Sequence, residues 1–124
     1  MPKPALFVYG TLHPDRAPRE IAEEVKRMVR IGEGTIRGHL DHTADYPAVR
    51  IGPGLTQSIL GTVFEIPDDP AFLARLDAYE DFRPDDPANS LFVRKLIEVT
   101  LNDGNRRTCW IYVYNRPAIA AGAC

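Results

Sequence analysis

The chain has 124 residues, of which 44% are hydrophobic and 26% charged, and its formal net charge is −2. These values are typical of one soluble globular domain, and the small net charge argues against a nucleic-acid partner. The longest apolar runs fall far below the ~18 residues of a membrane span, and the start "MPKPALFVYG" lacks the form of a signal peptide. With only two cysteines, Cys109 and Cys124, we expect no disulfide framework and a reducing cytoplasm.

The first third of the chain predicts a strand, a loop and a helix. The run "ALFVY" (5–9) is rich in β-formers without alternation, which is typical of a strand buried on both faces. A loop follows, and then a helix is predicted from about Pro18 to Ile31, stopped by Gly32. Its apolar face would carry Ile21, Val25, Met28 and Val29.

The rest of the chain predicts further strands and one more helix. "GTIRGHL" (34–40) alternates as a strand, "DHTADYPAVRIGPG" (41–54) is mostly loop, and "SILGTVFEIP" (58–67) is a strand. In the next helix Asp69 is the expected cap and Pro70 the first residue. The dipeptide Asp103-Gly104 between two apolar runs predicts a β-hairpin.

About six strands and two helices are therefore expected, without strict alternation of strand and helix. This pattern disfavours a doubly wound parallel sheet. It favours an α+β fold, a small mixed and mostly antiparallel barrel-like sheet with two main helices packed around it. We expect a single domain over residues 1–124, with 117–124 as a docked or loose tail. The sequence does not indicate the oligomeric state.

Glu80 occupies an unusual position in the second helix. On a helical wheel with Leu73 at zero, it falls at about 340°, inside the apolar stripe next to Leu76 at about 300°. A glutamate at a helix end ordinarily points to water or pairs with a neighbour such as Arg83. Here burial and the negative helix end would both raise the pKa of Glu80, which suits a group that takes and returns a proton at neutral pH.

The segment "FVYGTL" (7–12) is the second candidate. A strand ends at Tyr9, and Gly10 lets the chain turn with unpaired backbone N–H groups, which can hold a carboxylate or a developing oxyanion. Taken alone, the segment is equally explained as a strand followed by a tight turn.

Five motifs occur in a fixed order: "FVYGTL", "YPAV", "GTVFEI", "LDAYEDF" and "YVYNR". In that order and spacing, over roughly residues 5–116, the chain resembles the γ-glutamylcyclotransferase-like family, which includes γ-glutamylamine cyclotransferases and small AIG2-like bacterial proteins. The resemblance implies a barrel-like sheet with helices packed around it, in agreement with the element count.

The resemblance also implies roles for particular residues. The family's substrate-binding loop falls on Tyr9, Gly10, Thr11 and Leu12, and its catalytic glutamate falls on Glu80. The implied reaction closes a γ-glutamyl group to 5-oxoproline and releases an amine, with Glu80 as proton shuttle and with no metal, cofactor or covalent enzyme intermediate. Its kcat would drop on the acid side, with an apparent pKa above that of free glutamate.

Three more residues are expected to bind substrate. Tyr46 could reach the pocket, although a turn anchored by Pro47 explains it equally well. Tyr114 alternates with Trp110 and Tyr112 on one strand face, as a core or cavity wall would. Phe92 stands where relatives often have a tyrosine two residues before an arginine, here Arg94, so an altered specificity or a weaker activity is implied.

Other functions find less support in the sequence. His39, Asp41 and His42 suggest a metal site, but no second cluster accompanies them, so we expect none. The expected partner is a small γ-glutamyl compound, with no nucleic acid and no membrane. The alternative to the enzyme is a non-catalytic protein that keeps the same cavity for a small metabolite.

Overall fold

The computed structural model describes residues 3–9, 17–41 and 48–115. In this part of the chain, six strands form one sheet and two α-helices pack against it. The strands are Ala5–Val8 (β1), Val29–Asp41 (β2), Ala48–Arg50 (β3), Gln57–Glu65 (β4), Phe92–Leu101 (β5) and Arg106–Tyr114 (β6). The helices are Arg19–Val25 (α1) and Phe72–Tyr79 (α2), and a 3₁₀ turn spans Pro87–Asn89.

The sheet closes on itself. The strand order is β3-β2-β4-β1-β6-β5, and β5 also pairs with β2. The pairings are antiparallel except that of β1 with β6. Closure leaves few open sheet edges. The predicted fold class, α+β with a mostly antiparallel barrel-like sheet and two helices, is confirmed.

Strand β1 lies at the centre of this sheet and is buried on both faces, as its composition predicts. Leu6 pairs with Phe64 of β4 on one side and with Trp110 of β6 on the other. Its side chains alternate between two apolar clusters, with Phe7 facing the barrel interior and Leu6 facing the helices. Gly61 of β4 permits the close approach of β1, because a Cβ there would lie 2.5 Å from the Phe7 ring.

The first helix is shorter than the sequence predicts. α1 ends at Val25, a turn follows, and β2 begins at Val29. Val29 is 61% exposed, so it does not extend the buried helical stripe of Ile21 and Val25. Its backbone pairs with Glu65 instead, because the β-branched residues of this segment suit a strand.

The segment predicted as loop over 41–54 contains a short strand. Val49 of β3 is fully buried and pairs with Leu40 of β2, so this strand adds a short antiparallel partner beside β2 at one end of the strand order. Three residues are too few to give a clear alternation in the sequence. The hairpin at Asp103-Gly104 is confirmed: it joins β5 to β6, and Gly104 has a φ of 89°.

Helix α2 begins two residues later than predicted. Its first residue is Phe72 rather than Pro70. The cap is Ala71 and not Asp69, so that prediction is wrong, although the Asp69 Oδ1 accepts a hydrogen bond from the Ala71 N–H at 3.0 Å. The predicted tail at 117–124 lies outside the described residues. In the described ranges, no helix is long and apolar enough to cross a membrane.

Candidate active site

Glu80 lies directly at the C-terminal end of α2. Asp81 follows it with a φ of 56°, and the N–H groups of Asp81 and Phe82 donate to the carbonyls of Ala78 (3.3 Å) and Asp77 (2.8 Å). This pair of bonds is a Schellman motif, which ends a helix with one left-handed residue. The motif fixes the backbone direction at Glu80 and therefore the direction of its side chain.

The carboxylate of Glu80 is half-buried. Within the described residues, no hydrogen-bond donor or cation contacts it. Burial without a partner disfavours the charged form and raises the pKa of Glu80 from 4.5 to about 7. The direction of this shift is the one that its position on the helical wheel predicts.

Two phenols of the sheet lie near enough to Glu80 to feel its charge, Tyr9 directly after β1 and Tyr112 on β6. The negative charge of Glu80 contributes to a raised pKa in both, after the larger effect of burial. The Tyr9 hydroxyl donates to the backbone carbonyl of Tyr112 at 2.5 Å and accepts from the backbone N–H of Val49. The Tyr9 hydroxyl therefore links the end of β1 to β6, as donor, and to β3, as acceptor.

Asp77, one helical turn before Glu80, has a contrasting environment. It is 3% exposed and its oxygens accept three hydrogen bonds. Arg94 donates twice, from Nε at 2.7 Å and Nη2 at 3.1 Å, and the Tyr112 hydroxyl donates at 2.7 Å. The guanidinium of Arg94 also lies over the Trp110 ring, 4.3 Å from its centroid.

Sequence reasoning missed Asp77 as a part of this site, although a signal for it existed. On the same helical wheel Asp77 falls at about 40°, on the same side as Leu73 and Glu80. A second acid near the apolar stripe needs a buried cation, and Arg94 was available on the next strand.

The other predicted site residues divide into two groups. Phe92 and Tyr114 are paired across β5 and β6, with their rings edge to face at 5.6 Å, and Arg50 lies over the Tyr114 ring at 5.0 Å. Phe92 is 6% exposed and packs in the same apolar cluster as Tyr112. The remaining predicted residues lie outside the described ranges: Gly10, Thr11, Leu12 and Tyr46.

A shallow pocket of about 430 Å³ lies beside the C-terminal half of α2. Its lining includes Asp77, Asp81 and Phe82, but not Glu80. We therefore do not include it in the candidate site. Among residues 3–9, 17–41 and 48–115, no group of three or more His, Cys, Asp or Glu side chains could hold a metal ion.

The sequence and the fold were compared with those of known proteins. A protein-family model described as "Gamma-glutamyl cyclotransferase, AIG2-like" matches residues 6–123. No curated protein sequence gives a significant match.

Several solved structures have a similar fold. An AIG2-like protein from Mus musculus superposes with a TM-score of 0.71 at 21% identity, over 95% of this chain and 81% of that one. YkqA from Bacillus subtilis gives a TM-score of 0.68 at 22% identity over 96% of this chain, which spans only 38% of YkqA. A structure titled "Gamma-glutamyl cyclotransferase" gives 0.63 at 16% identity, over 90% of this chain and 66% of that chain. At these identities the superpositions support a shared fold.

Proposed function

Because the chain belongs to the γ-glutamyl cyclotransferase, AIG2-like family, we propose that it is an enzyme that closes a γ-glutamyl group to 5-oxoproline. Its substrate would be a small γ-glutamyl amine or peptide, and the second product would be the free amine. The observation that carries the proposal is Glu80, a half-buried carboxylate with no partner among the described residues and a pKa of about 7.

Glu80 would act as a proton shuttle. The substrate ammonium must lose a proton before its nitrogen can attack the γ-carbonyl carbon, and the departing amine must gain one. An α-amino group has a pKa of about 8, so transfer to an ordinary glutamate of about 4.3 is uphill by roughly 5 kcal/mol. A pKa of about 7 reduces that cost to roughly 1.4 kcal/mol. The same carboxyl, once protonated, can return the proton to the leaving nitrogen.

The attack creates negative charge on the γ-carbonyl oxygen. Backbone N–H groups of Gly10 to Leu12 would stabilise it, in the role that the family motif implies for them. Tyr9 immediately precedes them, and its phenol lies near enough to Glu80 to feel its charge. The reaction is intramolecular, so the protein mainly holds the substrate in a folded conformation, and the proposed mechanism needs no metal or cofactor.

The identity of the amine would depend on the residues around the site. Phe92 carries no hydroxyl where relatives often have a tyrosine, and it is packed edge to face against Tyr114. We therefore expect a leaving group that does not need a hydrogen bond from this position. Tyr46 and Tyr114 remain proposed contacts for the substrate.

Release of 5-oxoproline from a panel of γ-glutamyl amines and peptides tests the proposal. We expect turnover by the wild type and a loss of about 10²–10⁴-fold in kcat for Glu80→Gln, because general acid–base catalysis contributes factors of that size. Glu23→Gln, the same change on the exposed face of α1, is the matched control and should retain full activity.

Two results would contradict the proposed enzymatic function. Full turnover by Glu80→Gln would remove Glu80 from the mechanism. Calorimetric binding of a γ-glutamyl compound by the wild type, without turnover of any panel member, would favour a non-catalytic protein that binds small metabolites.

A further inference from the structure

Tyr112 connects the helix that carries Glu80 to the strand that carries Tyr9. Its phenol O–H donates to Asp77 Oδ1 at 2.7 Å, one turn before Glu80 on α2. Its backbone carbonyl accepts from the Tyr9 O–H at 2.5 Å, one residue before Gly10. One residue of β6 thus contacts both halves of the proposed site. We call this connection, formed by Asp77, Tyr112 and Tyr9, the Tyr112 strut.

Both ends of the strut are held in place. Asp77 is fixed by two hydrogen bonds from Arg94, whose guanidinium lies over the Trp110 ring on β6. The Tyr9 hydroxyl is held from a second direction by the Val49 N–H of β3. Tyr112 itself is 4% exposed and belongs to a strand that is paired on both sides. A buried hydrogen-bonded network whose members are all satisfied is rigid.

We propose that Tyr112 is a positioning residue that sets the separation between Glu80 and Tyr9. The inference rests on the proposed function, because that separation matters for a substrate that must contact Glu80 and the Tyr9 end of β1 together. A misplacement of about 1 Å between reacting groups can lower a rate by roughly 10²-fold.

The Tyr112 strut also defines the hydrogen bonds that the hydroxyl groups of Tyr9 and Tyr112 make. Among the described residues, Glu80 contributes to the raised pKa values of two groups of the sheet, the phenols of Tyr9 and Tyr112. Both therefore stay neutral, and both O–H groups donate to protein acceptors. Neither hydroxyl is needed as the proton shuttle, which leaves that role to Glu80.

Tyr112→Phe tests the strut. It removes the bond to Asp77 and leaves the Arg94 pair and the Tyr112 carbonyl intact. We expect kcat to fall about tenfold while KM changes by less than about threefold, because substrate groups still bind but are misaligned. Tyr79→Phe removes a hydroxyl from α2 itself and is the matched control, with kcat within about twofold of wild type.

A second readout does not depend on catalysis. In the free protein, the ¹H–¹⁵N amide shifts of Val8 and Tyr9 should change in Tyr112→Phe, although the deleted hydroxyl contacts α2, and should not change in Tyr79→Phe. The kcat losses of Tyr9→Phe and Tyr112→Phe should also be less than additive in the double variant, because each breaks the same connection.

Amide shift changes confined to α2, or additive losses of kcat in the double variant, would overturn the proposed positioning role of Tyr112. A loss in Tyr112→Phe no greater than that in Tyr79→Phe would also overturn it. Failure of the wild type to release 5-oxoproline from any panel member would instead end the proposed function, and the amide shifts would still decide whether Tyr112 links the two segments.

Discussion

Asp77 and Glu80 leave the same helix one turn apart, and both point toward the sheet, yet their surroundings differ completely. Asp77 meets Arg94 and the Tyr112 hydroxyl, which together supply three hydrogen bonds. Glu80 has no such partner among the described residues, and the two phenols that feel its charge, Tyr9 and Tyr112, donate their O–H groups elsewhere. The first carboxylate is held as a charged structural group, and the second has a pKa of about 7.

The difference between the two carboxylates comes from their neighbours and not from their residue type. Here only one of the two is available to react, because Asp77 is 3% exposed and already accepts three bonds. The following predictions change one carboxylate at a time.

The largest effect on stability is expected from Asp77→Asn. The amide keeps the shape of the side chain but removes the charge that balances Arg94, whose side chain is only 16% exposed. Breaking a buried ion pair by removing one partner costs about 3–5 kcal/mol. We expect a loss of that size in the free energy of unfolding, measured by urea denaturation.

Asp69→Asn is the matched control for that loss. Asp69 also accepts from two arginines, Arg27 and Arg75, both at 2.9 Å, but its side chain is 23% exposed and those of the arginines are 43% and 46% exposed. Exposed ion pairs contribute little, so its loss should be much smaller than that of Asp77→Asn. Equal losses in the two variants would contradict the assignment of Asp77 as a buried structural charge.

Glu80→Gln should change how stability depends on pH. The folded protein holds the Glu80 proton up to a pKa of about 7, whereas the unfolded chain releases it near 4.5. The folded state therefore binds more protons between these values, and wild-type stability falls as pH rises through that window. The total cost of ionising Glu80 is about 3 kcal/mol at pH 8.

Glu80→Gln removes this titration. Its stability relative to wild type should therefore increase by about 3 kcal/mol between pH 4.5 and pH 8, in parallel urea titrations at several pH values. A difference between the two proteins that stays constant over this range would mean that Glu80 has an ordinary pKa. Glu23→Gln, the same change at an exposed position of α1, is measured alongside as the control.

The sequence predicted those parts of the fold that depend on local chemistry. The apolar composition of β1, the Asp103-Gly104 turn and the position of Glu80 on its helix are all read from neighbouring residues, and each agrees with the structure. The boundary between α1 and β2 was missed because Val29 continues the helical spacing from Val25 by chance. Only its pairing with Glu65 of β4, which is 36 positions away, decides that it is a strand residue.

The candidate site also has features that neighbouring residues predict and features that only distant residues determine. Glu80 was found because an acid in an apolar stripe is a local anomaly, and the family motif pointed to the same residue. The partners of Asp77 come from two other strands, and no local pattern shows that Arg94 and Tyr112 converge on it. The link from Tyr9 to Tyr112 joins residues 103 positions apart through a backbone carbonyl, whose position no side-chain pattern encodes.

The smallest effect is expected from the third acid of this helix end. Asp81 adopts a φ of 56°, a conformation that costs most residues more than it costs glycine. Asp81→Gly should therefore raise the free energy of unfolding by about 0.5–1 kcal/mol, and it also removes a negative charge from the negative end of α2. Asp81→Ala removes the same charge but keeps a Cβ, so it separates the two causes: equal gains in both variants would assign the effect to charge rather than to the backbone. The Schellman bonds that orient Glu80 come from the backbone and remain in Asp81→Gly, so 5-oxoproline release should stay within about twofold of wild type.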